Sequence, residues 1–567
     1  MSLQMRLLSS LDKVYPDEAK GNERMSASML RKETFSFQIA FQSDNAPVPV
    51  YPRIQTDLPI SALSEYQVGY VPVMRTYFQQ PDSGLDRIEP GLFPDPLYER
   101  HINDPVRDDG FWSSQWFEIH EKTQLTALPD CWQSLLFTVN GEKTDLPAGK
   151  YRITVQILHA ANRSVLGEKE LRLEVLPVEL PSQNMLYTSW FHCDCLCDLY
   201  GVRMFSKEHF RIMESFIRAA ADTGMNMILL PAFTPPLDTP VNRERKTAQL
   251  VDIWVENGQY RFDFSRMKRF TDLCRACGIT HFEHSHLFTQ WGAKHAPKIV
   301  ARVGGKKQRL FGWETDSQSQ EYVDFLEAYF TALRDFLSKE GLEDKILFHV
   351  SDEPNEEHLP QYRRSAQLLR RIFPNAQFGD AISHYDVYRQ SGIDLPIVVT
   401  DSQDMELFCR DAGDFWVYYT GEQLHDNYSN RVISVTGARC RILGIQMYVA
   451  GAKGFLHWGY NYYYATLSHG LFDPMGNPCG YGMLPGTSYM VYAGTDRKAI
   501  PSIRMKQLYE GFIDYRALEK LEEAIGRRET LAFVRQHLGE VNFRFCPENE
   551  TLLNFREKLN QKIKEAF

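Results

Sequence analysis

The chain has 567 residues and a mass of 65.7 kDa. A single hydrophobic core rarely serves a chain of this length, so two or three domains are predicted. Hydrophobic residues make up 43% and charged residues 24%, a balance that excludes a disordered protein. The net charge of -10, without a basic stripe, argues against nucleic acid or an anionic membrane as a partner. No apolar run is long enough to span a membrane.

Residues 1–180 are predicted to form an N-terminal β-sandwich. Apolar and polar residues alternate with a period of two in several segments, most clearly at 34–41 and 151–158. Short alternating strands separated by turn residues are typical of sandwiches. We expect an irregular excursion over 81–130 and a linker at 176–182, where prolines accumulate.

Residues 181–495 are predicted to form a (β/α)₈ barrel, because the pattern changes to strand followed by helix. Eight strand-like segments occur within about 275 residues, close to the ~250 typical of this fold. An open doubly wound sheet is the alternative, but no Gly-x-Gly-x-x-Gly or P-loop follows any strand. Residues 496–567 are predicted to be helical. The strands are expected at 185–192, 226–231, 280–286, 346–354, 377–383, 397–400, 414–420 and 454–460.

The ten cysteines are predicted to be buried free thiols. Cys193, Cys195 and Cys197 alternate on an expected strand, and Cys274 and Cys277 lie on an expected helix. A zinc site or a redox pair is the alternative, but two ligand clusters at fixed spacing are absent from the sequence. Many free thiols favour a reducing compartment, so we expect a cytoplasmic protein. Secretion or a periplasmic location is the alternative if a leader precedes the sequence given. No cofactor is predicted.

The acid pair Asp352 and Glu353 is the strongest functional signal. It ends the apolar segment that begins at Ile346, and Pro354 follows it. The carboxyl ends of parallel strands are where ligands and catalytic groups gather. Where the strand ends, both side chains can lean over one bound sugar, and two neighbouring carboxylates favour retention of a proton on one of them. The alternative is a solvated turn that favours the start of the next helix.

The run Phe348–Pro354 also resembles the catalytic motif of glycoside hydrolase family 123, whose members often carry the label domain of unknown function 4091. Two further parts agree. Residues 132–139 and 146–155 are similar to the end of that family's N-terminal β domain. The pair 499–504 and 511–516 is similar to a signature after its barrel. The resemblance spans about residues 30 to 520.

The resemblance implies hydrolysis of β-linked N-acetylgalactosamine with retention of configuration. In that family the 2-acetamido oxygen of the substrate attacks the anomeric carbon and forms an oxazoline, an exception to the usual two-carboxylate mechanism. Carried onto this chain, Glu353 is the general acid and then the general base. Asp352 accepts the acetamido N–H and stabilises the positive charge of the forming ring.

Substrate-binding candidates come from the positions of aromatic and polar residues at expected strand ends. Aromatic rings stack on sugar faces and line acetamido pockets, although rings on barrel strands are more often part of the core. Alternation places His284 and His286 on one face of the third strand, with His281 and Glu283 on the other. A metal site there would lack a third ligand, so none is predicted. The candidates are Trp458, Tyr460, Asn461, Tyr418, His284, His286, His192 and Asp380.

The sequence therefore predicts an exo-acting, retaining β-N-acetylgalactosaminidase whose partner is a glycan that contains N-acetylhexosamine. One alternative is a glycosidase for another sugar on the same scaffold, since a fold does not fix a substrate. The other is a non-catalytic carbohydrate-binding protein that keeps the groove without turnover.

Overall fold

The computed structural model describes residues 3–100, 125–241, 243–289, 292–477 and 482–567. Its N-terminal part is a sandwich of two five-stranded sheets. Their apolar faces meet in one core, to which Phe37 and Ile39 contribute from the first sheet and Ile153 and Val155 from the second. In spatial order, the first sheet contains Leu3–Ser9, Thr34–Ser43, Gln133–Asn140, Leu63–Val73 and Gly91–Arg100, and the second contains Ser26–Arg31, Val165–Glu179, Gly149–His159, Val48–Thr56 and Leu125–Ala127.

Two expectations for this region are wrong. The span 81–130 is not irregular throughout, because Gly91–Arg100 pairs with Leu63–Val73 as an edge strand; residues 101–124 of that span lie outside the described residues. The expected linker at 176–182 begins as strand, since Val165–Glu179 continues to Glu179 and pairs there with Arg31.

A closed barrel of eight parallel strands follows, as predicted. Seven of the strands are shorter than the segments that predict them, because the chain leaves the barrel wall at the rim, whereas the sixth begins two residues earlier than predicted. Their order around the barrel follows the sequence, and the eighth strand pairs with the first to close it. The eight strands are Leu186–Ser189, Met227–Leu230, His281–His284, Ile346–Phe348, Gln377–Ala381, Leu395–Val399, Trp416–Tyr418 and Gly454–His457.

Helices surround this barrel, and local sequence fixes their ends. Ser206 accepts the amide of His209 at the start of one helix, and glycines with positive φ, such as Gly278, end others. A four-stranded sheet formed by excursions after the second and third strands consists of Gln259–Asp263, Asp252–Glu256, Ile299–Val303 and Lys306–Phe311. The helices of this region are Cys193–Tyr200, Lys207–Ala221, Ser265–Cys277, Gln320–Glu340, Leu359–Ile372, Tyr385–Ser391, Met405–Asp411, Gly437–Arg441 and Leu443–Ala450.

The expected strand over Cys193, Cys195 and Cys197 is wrong. These residues lie on a short helix whose residues 193–197 are all buried. Asp194 among them pairs with Arg245, so the polar residue between the cysteines does not mark the exposed face of a strand. Every cysteine among the described residues is free, but the expectation that they are all buried is wrong, because Cys409 is exposed and Cys131 and Cys546 are half-buried.

The C-terminal segment is helical, as predicted, with helices Ile503–Ile525, Arg527–Leu538 and Asn549–Ala566. The first is buried on nearly all sides between the sandwich and the barrel. Its Asp514 accepts hydrogen bonds from Arg441 of the barrel at 2.7 and 2.8 Å and from Arg556 of the last helix at 2.8 Å. Arg556 also donates to Glu33 of the sandwich, so one buried ion network joins all three parts. Among the described residues no helix is long and apolar enough to cross a membrane.

Candidate active site

A cavity of about 660 Å³ opens at the carboxyl end of the barrel. Its innermost residues are buried: Trp190, His349 and Leu456 are each no more than 4% exposed. The loops that follow the barrel strands supply most of the wall. The wall brings together both acids and several predicted sugar-binding residues: His192, Asp352, Glu353, Tyr418 and Trp458.

The turn that carries the acid pair is held by Asp380 from the neighbouring strand. The amides of Val350 and Ser351 donate to one Asp380 carboxylate oxygen at 3.1 and 3.0 Å. The hydroxyl of Tyr362, on the helix that follows the acid pair, donates to the same oxygen at 2.5 Å. The chain on both sides of Asp352 is therefore fixed to one buried carboxylate, so the acids are preorganised.

Glu353 has an uncommon backbone conformation and a specific partner. Its φ is 44°, in the left-handed region that non-glycine residues seldom adopt, and Pro354 follows it. The hydroxyl of Tyr418, at the end of the seventh strand, donates to Glu353 Oε1 at 2.6 Å. Burial, reinforced by the charge of the Glu353 carboxylate, raises the pKa of Tyr418 well above its ordinary value. Tyr418 therefore stays protonated and fixes the direction of the Glu353 side chain.

His349 lies at the base of the cavity between two buried carboxylates. Its Nε2 is 2.8 Å from Glu283 Oε2, and its Nδ1 is 3.1 Å from Asp380 Oδ1. Burial alone lowers the pKa of His349, but the hydrogen bonds to Asp380 and Glu283 outweigh it and raise the pKa to about 10. Glu283 also accepts the indole N–H of Trp190 at 2.9 Å. The base of the cavity is therefore an ion triad of Glu283, His349 and Asp380, with His349 as imidazolium near neutral pH.

This triad predicts a pH-dependent contribution to stability. A histidine whose pKa rises from 6.5 unfolded to about 10 folded stabilises the protein fully below pH 6.5, and that contribution is lost as the pH rises through 10. We expect His349→Gln to lower the melting temperature most at pH 6 to 7, with a difference from wild type that narrows toward pH 10. Thermal unfolding at a series of pH values measures this. His469→Gln, at an exposed histidine, is the control. A difference in melting temperature between His349→Gln and wild type that stays constant across that pH range would contradict the positive charge assigned to His349.

The residues around His349 also have the composition of a metal site. His286, His349 and Asp380 present ligand atoms within 4.8 Å of one another. The ring of His286 stacks on that of His349, with centroids 4.6 Å apart. Both nitrogens of His349 lie within hydrogen-bond distance of carboxylate oxygens, so in this arrangement both are engaged with Glu283 and Asp380. The donor chemistry therefore favours an ion triad over a metal centre.

His192 is held neutral at the side of the cavity. Arg245, which forms a two-point ion pair with Asp194, donates to His192 Nδ1 at 3.2 Å. His192 Nε2 then donates to the carbonyl of Trp458 at 2.9 Å. Burial, together with the nearby Arg245 charge, lowers the pKa of His192 to about 3. The ring of Tyr462 packs edge-on against both His192 and Trp458, at 4.9 and 5.3 Å.

Five of the predicted substrate-binding residues lie outside the cavity wall. Tyr460 donates its hydroxyl to the carbonyl of Phe216 within the core. Asn461 exchanges two hydrogen bonds with the backbone of His192, at 2.8 and 3.1 Å, and so positions a wall residue. His284, His286 and Asp380 are buried beneath the wall or behind it.

The expected alternation on the third strand is wrong. His284 faces the surrounding helices, where its Nε2 is 2.7 Å from the hydroxyl of Tyr329. The strand ends at His284, so His286 returns to the barrel interior, where its ring packs against Trp190 as well as His349. Glu283 points inward, and thus Glu283 and His286, rather than His284 and His286, share the interior.

Sequence reasoning missed Glu283, His349 and Trp190 as parts of the site. Trp190 and His349 lie within the predicted strand segments 185–192 and 346–354. The sequence signal for His349 is its position three residues before Asp352. That position assigns it no role, because the role depends on Asp380 and Glu283, which come from other strands.

A closed parallel barrel with paired acids at the carboxyl end is typical of glycoside hydrolases. A family model described as the catalytic domain of glycoside hydrolase 123 matches residues 190–521, which is more than half of the chain. The chain belongs to glycoside hydrolase family 123 and is a glycoside hydrolase. The resemblance drawn from the sequence motifs is thereby confirmed.

A similar solved structure with a high TM-score agrees with this fold. A family 123 glycoside hydrolase from Clostridium perfringens, described in terms of glycolipid glycan hydrolysis, superposes with a TM-score of 0.72 at 12% identity, covering 100% of this chain and 98% of that one. A putative β-galactosidase from Bacteroides fragilis has a TM-score of 0.31 at 12% identity, covering 90% and 60%. A family 5 mannosidase from Rhizomucor miehei has a TM-score of 0.32 at 12% identity, covering 59% and 94%. No curated protein sequence matches this one.

Proposed function

We propose that this glycoside hydrolase is a retaining, exo-acting β-N-acetylgalactosaminidase that uses the acetamido group of its substrate as the nucleophile. The observation that carries the proposal is the placement of Asp352 and Glu353 side by side on the wall of one cavity at the barrel mouth. Tyr418 fixes the direction of Glu353, and Asp380 fixes the backbone before Asp352. Two acids with separate supports suit two separate roles.

In the first step Glu353 donates its proton to the glycosidic oxygen as the bond to the anomeric carbon breaks. The acetamido oxygen of the same sugar forms the new bond to that carbon, and the departing alcohol leaves with the proton. Asp352 accepts a hydrogen bond from the acetamido N–H and stabilises the positive charge that the oxazoline ring acquires.

In the second step the Glu353 carboxylate removes a proton from water, which attacks the anomeric carbon from the face that the leaving group vacated. The ring opens, the acetamido group is restored, and Glu353 is again protonated. Two inversions at one carbon give net retention. Tyr418 supports both steps, because its hydroxyl stays protonated and can remain hydrogen-bonded to Glu353 while the charge of Glu353 changes.

The inner end of the cavity has the chemistry that an N-acetylated sugar needs. The aromatic rings of Trp190, Trp458 and Tyr462 and the side chain of Leu456 line it. An exo mode of attack fits a cavity whose base is closed by Trp190, His349 and Leu456, since a chain cannot continue through the barrel. The natural substrate would be a glycan with a terminal β-linked N-acetylgalactosamine, borne by a glycolipid or by another carrier.

A panel of aryl glycosides tests the proposal. We expect the purified protein to release the aryl group from the β-N-acetylgalactosaminide. The β-galactoside, which lacks the acetamide, should be cleaved at least ~10³-fold more slowly, because a well-placed intramolecular nucleophile raises the reaction rate by many orders of magnitude. The β-N-acetylglucosaminide reports on the choice of sugar. Equal rates with the acetamide-free galactoside would contradict substrate assistance and favour an ordinary glycosidase. Binding of N-acetylgalactosamine without any turnover would favour a carbohydrate-binding protein.

A further inference from the structure

The sandwich contributes a wall to the cavity through the segment 74–90. This segment joins the strand Leu63–Val73 to the edge strand Gly91–Arg100 and leaves the sandwich to reach the barrel rim. Near its start, Phe78 lines the same cavity as Asp352 and Glu353. A residue of the N-terminal domain therefore meets whatever occupies the cavity of the barrel.

The segment is fixed to the barrel by specific polar contacts. Arg439, which is fully buried, donates to the two carboxylate oxygens of Asp82 at 2.7 and 3.0 Å. The amide of Asn427 donates to Asp82 at 3.1 Å. The amide of Asp86 donates to the carbonyl of Ser434 at 2.8 Å. A two-point guanidinium pair with a buried partner is directional, so the segment has a defined place on the rim.

Phe78 is held from two sides. It packs against an apolar cluster on the barrel rim that includes Leu424 and Leu484. The guanidinium of Arg75 lies over its ring, 4.9 Å from the centroid, and donates to the carbonyl of Phe78 at 3.4 Å. The side chain is half-buried, so part of it faces the cavity. This is the arrangement of a supported aromatic platform.

The packing partners of Phe78 place it in the outer part of the cavity. Leu424 follows the end of the seventh strand at Tyr418 by six residues, and Leu484 lies far beyond the end of the eighth strand at His457, so both belong to rim loops. The buried residues Trp190 and His349 mark the inner end. A sugar whose anomeric carbon is at Glu353 fills the inner part, and the group that it loses projects outward, toward the rim.

We infer that Phe78 forms the binding subsite for the leaving-group sugar, so that the sandwich determines which glycans the barrel cleaves. This inference rests on the proposed function. A pyranose ring has an apolar face that stacks on an aromatic ring, whereas a small alkyl leaving group does not reach it. Phe78 is thus a specificity-determining residue that takes no part in the proton transfers.

Two substrates with the same inner sugar separate the subsite from the chemistry. We expect Phe78→Ala to lower kcat/KM about tenfold for a β-N-acetylgalactosaminyl-galactose disaccharide. Its kcat/KM for methyl β-N-acetylgalactosaminide, and the inhibition constant of free N-acetylgalactosamine, should change less than about twofold. Phe78→Trp should retain the disaccharide activity, because it keeps an aromatic face.

Two further variants test the architecture. Asp82→Ala, which removes the acceptor of the Arg439 pair, should reproduce the selective loss on the disaccharide. Met74→Ala, at a 71% exposed residue of the same segment that does not line the cavity, is the matched control. Equal effects of Phe78→Ala on both substrates, or no effect on either, would overturn this inference alone. A wild-type protein that cleaves neither substrate would contradict the proposed function and this inference together.

Discussion

Glu353→Gln should lower kcat/KM for a β-N-acetylgalactosaminide by about 10³-fold, within the range that general acid–base catalysis contributes. The amide keeps the shape of the side chain and an oxygen that can accept the hydrogen bond of Tyr418, but it has no proton to give. The loss should be larger for a disaccharide than for a 4-nitrophenyl glycoside, because 4-nitrophenolate leaves readily without protonation. Initial rates with both substrates measure the effect.

The control for this variant is Glu357→Gln, since Glu357 is an exposed acid four residues away that does not line the cavity. A companion variant, Glu353→Ala, creates space for azide, which attacks without a general base. Azide should restore turnover of the 4-nitrophenyl glycoside and yield a β-glycosyl azide. Near wild-type activity of Glu353→Gln, with unchanged melting temperature, would remove Glu353 from the reaction.

Asp352→Asn should reduce kcat by about 10²-fold or more, comparable to the loss of one group that stabilises developing charge in a transition state. Asparagine can still accept a hydrogen bond from the acetamido N–H, but it lacks the negative charge that offsets the positive oxazoline. Binding of a thiazoline analogue of that ring should weaken in parallel. Steady-state kinetics and inhibition constants measure both effects.

Asp344→Asn is the matched control, because Asp344 is exposed in the turn that precedes the same barrel strand, at the end opposite to Asp352. An Asp352→Asn protein that keeps its kcat while losing only ground-state affinity would show that Asp352 binds the sugar without acting on the transition state.

The barrel was predictable because its strands are buried on both sides. Segments such as 226–231 and 454–460 are almost entirely apolar and alternate with amphipathic helices, a pattern with few other solutions. The position of the acids at the barrel mouth was predictable because they come at the carboxyl end of a strand-like segment. The length of each strand did not follow, because a chain leaves the barrel wall where hydrogen-bonded neighbours end, and that depends on residues far away in sequence.

The support around the acids was not predictable for a similar reason. Alternation on the third strand assumes that the strand continues past His284, yet it ends there, and so Glu283 and His286 both face the interior. The role of His349 requires two carboxylates from other strands, at separations of 31 and 66 residues. Phe78 lies in a segment with no periodic pattern, and contacts between residues far apart in sequence, such as Asp82 and Arg439 at a separation of 357 residues, bring it to the cavity.

The account depends on the acetamido oxygen of the substrate acting as the nucleophile between Asp352 and Glu353. The most direct test is a series of 4-nitrophenyl β-galactosaminides whose N-acyl group is acetyl, fluoroacetyl, difluoroacetyl or trifluoroacetyl. Each fluorine withdraws electrons from the carbonyl oxygen while changing its size little. We predict that kcat/KM falls steeply and steadily along the series. Rates that do not depend on fluorination would contradict the account, because the carbonyl oxygen would then form no bond in the rate-limiting step.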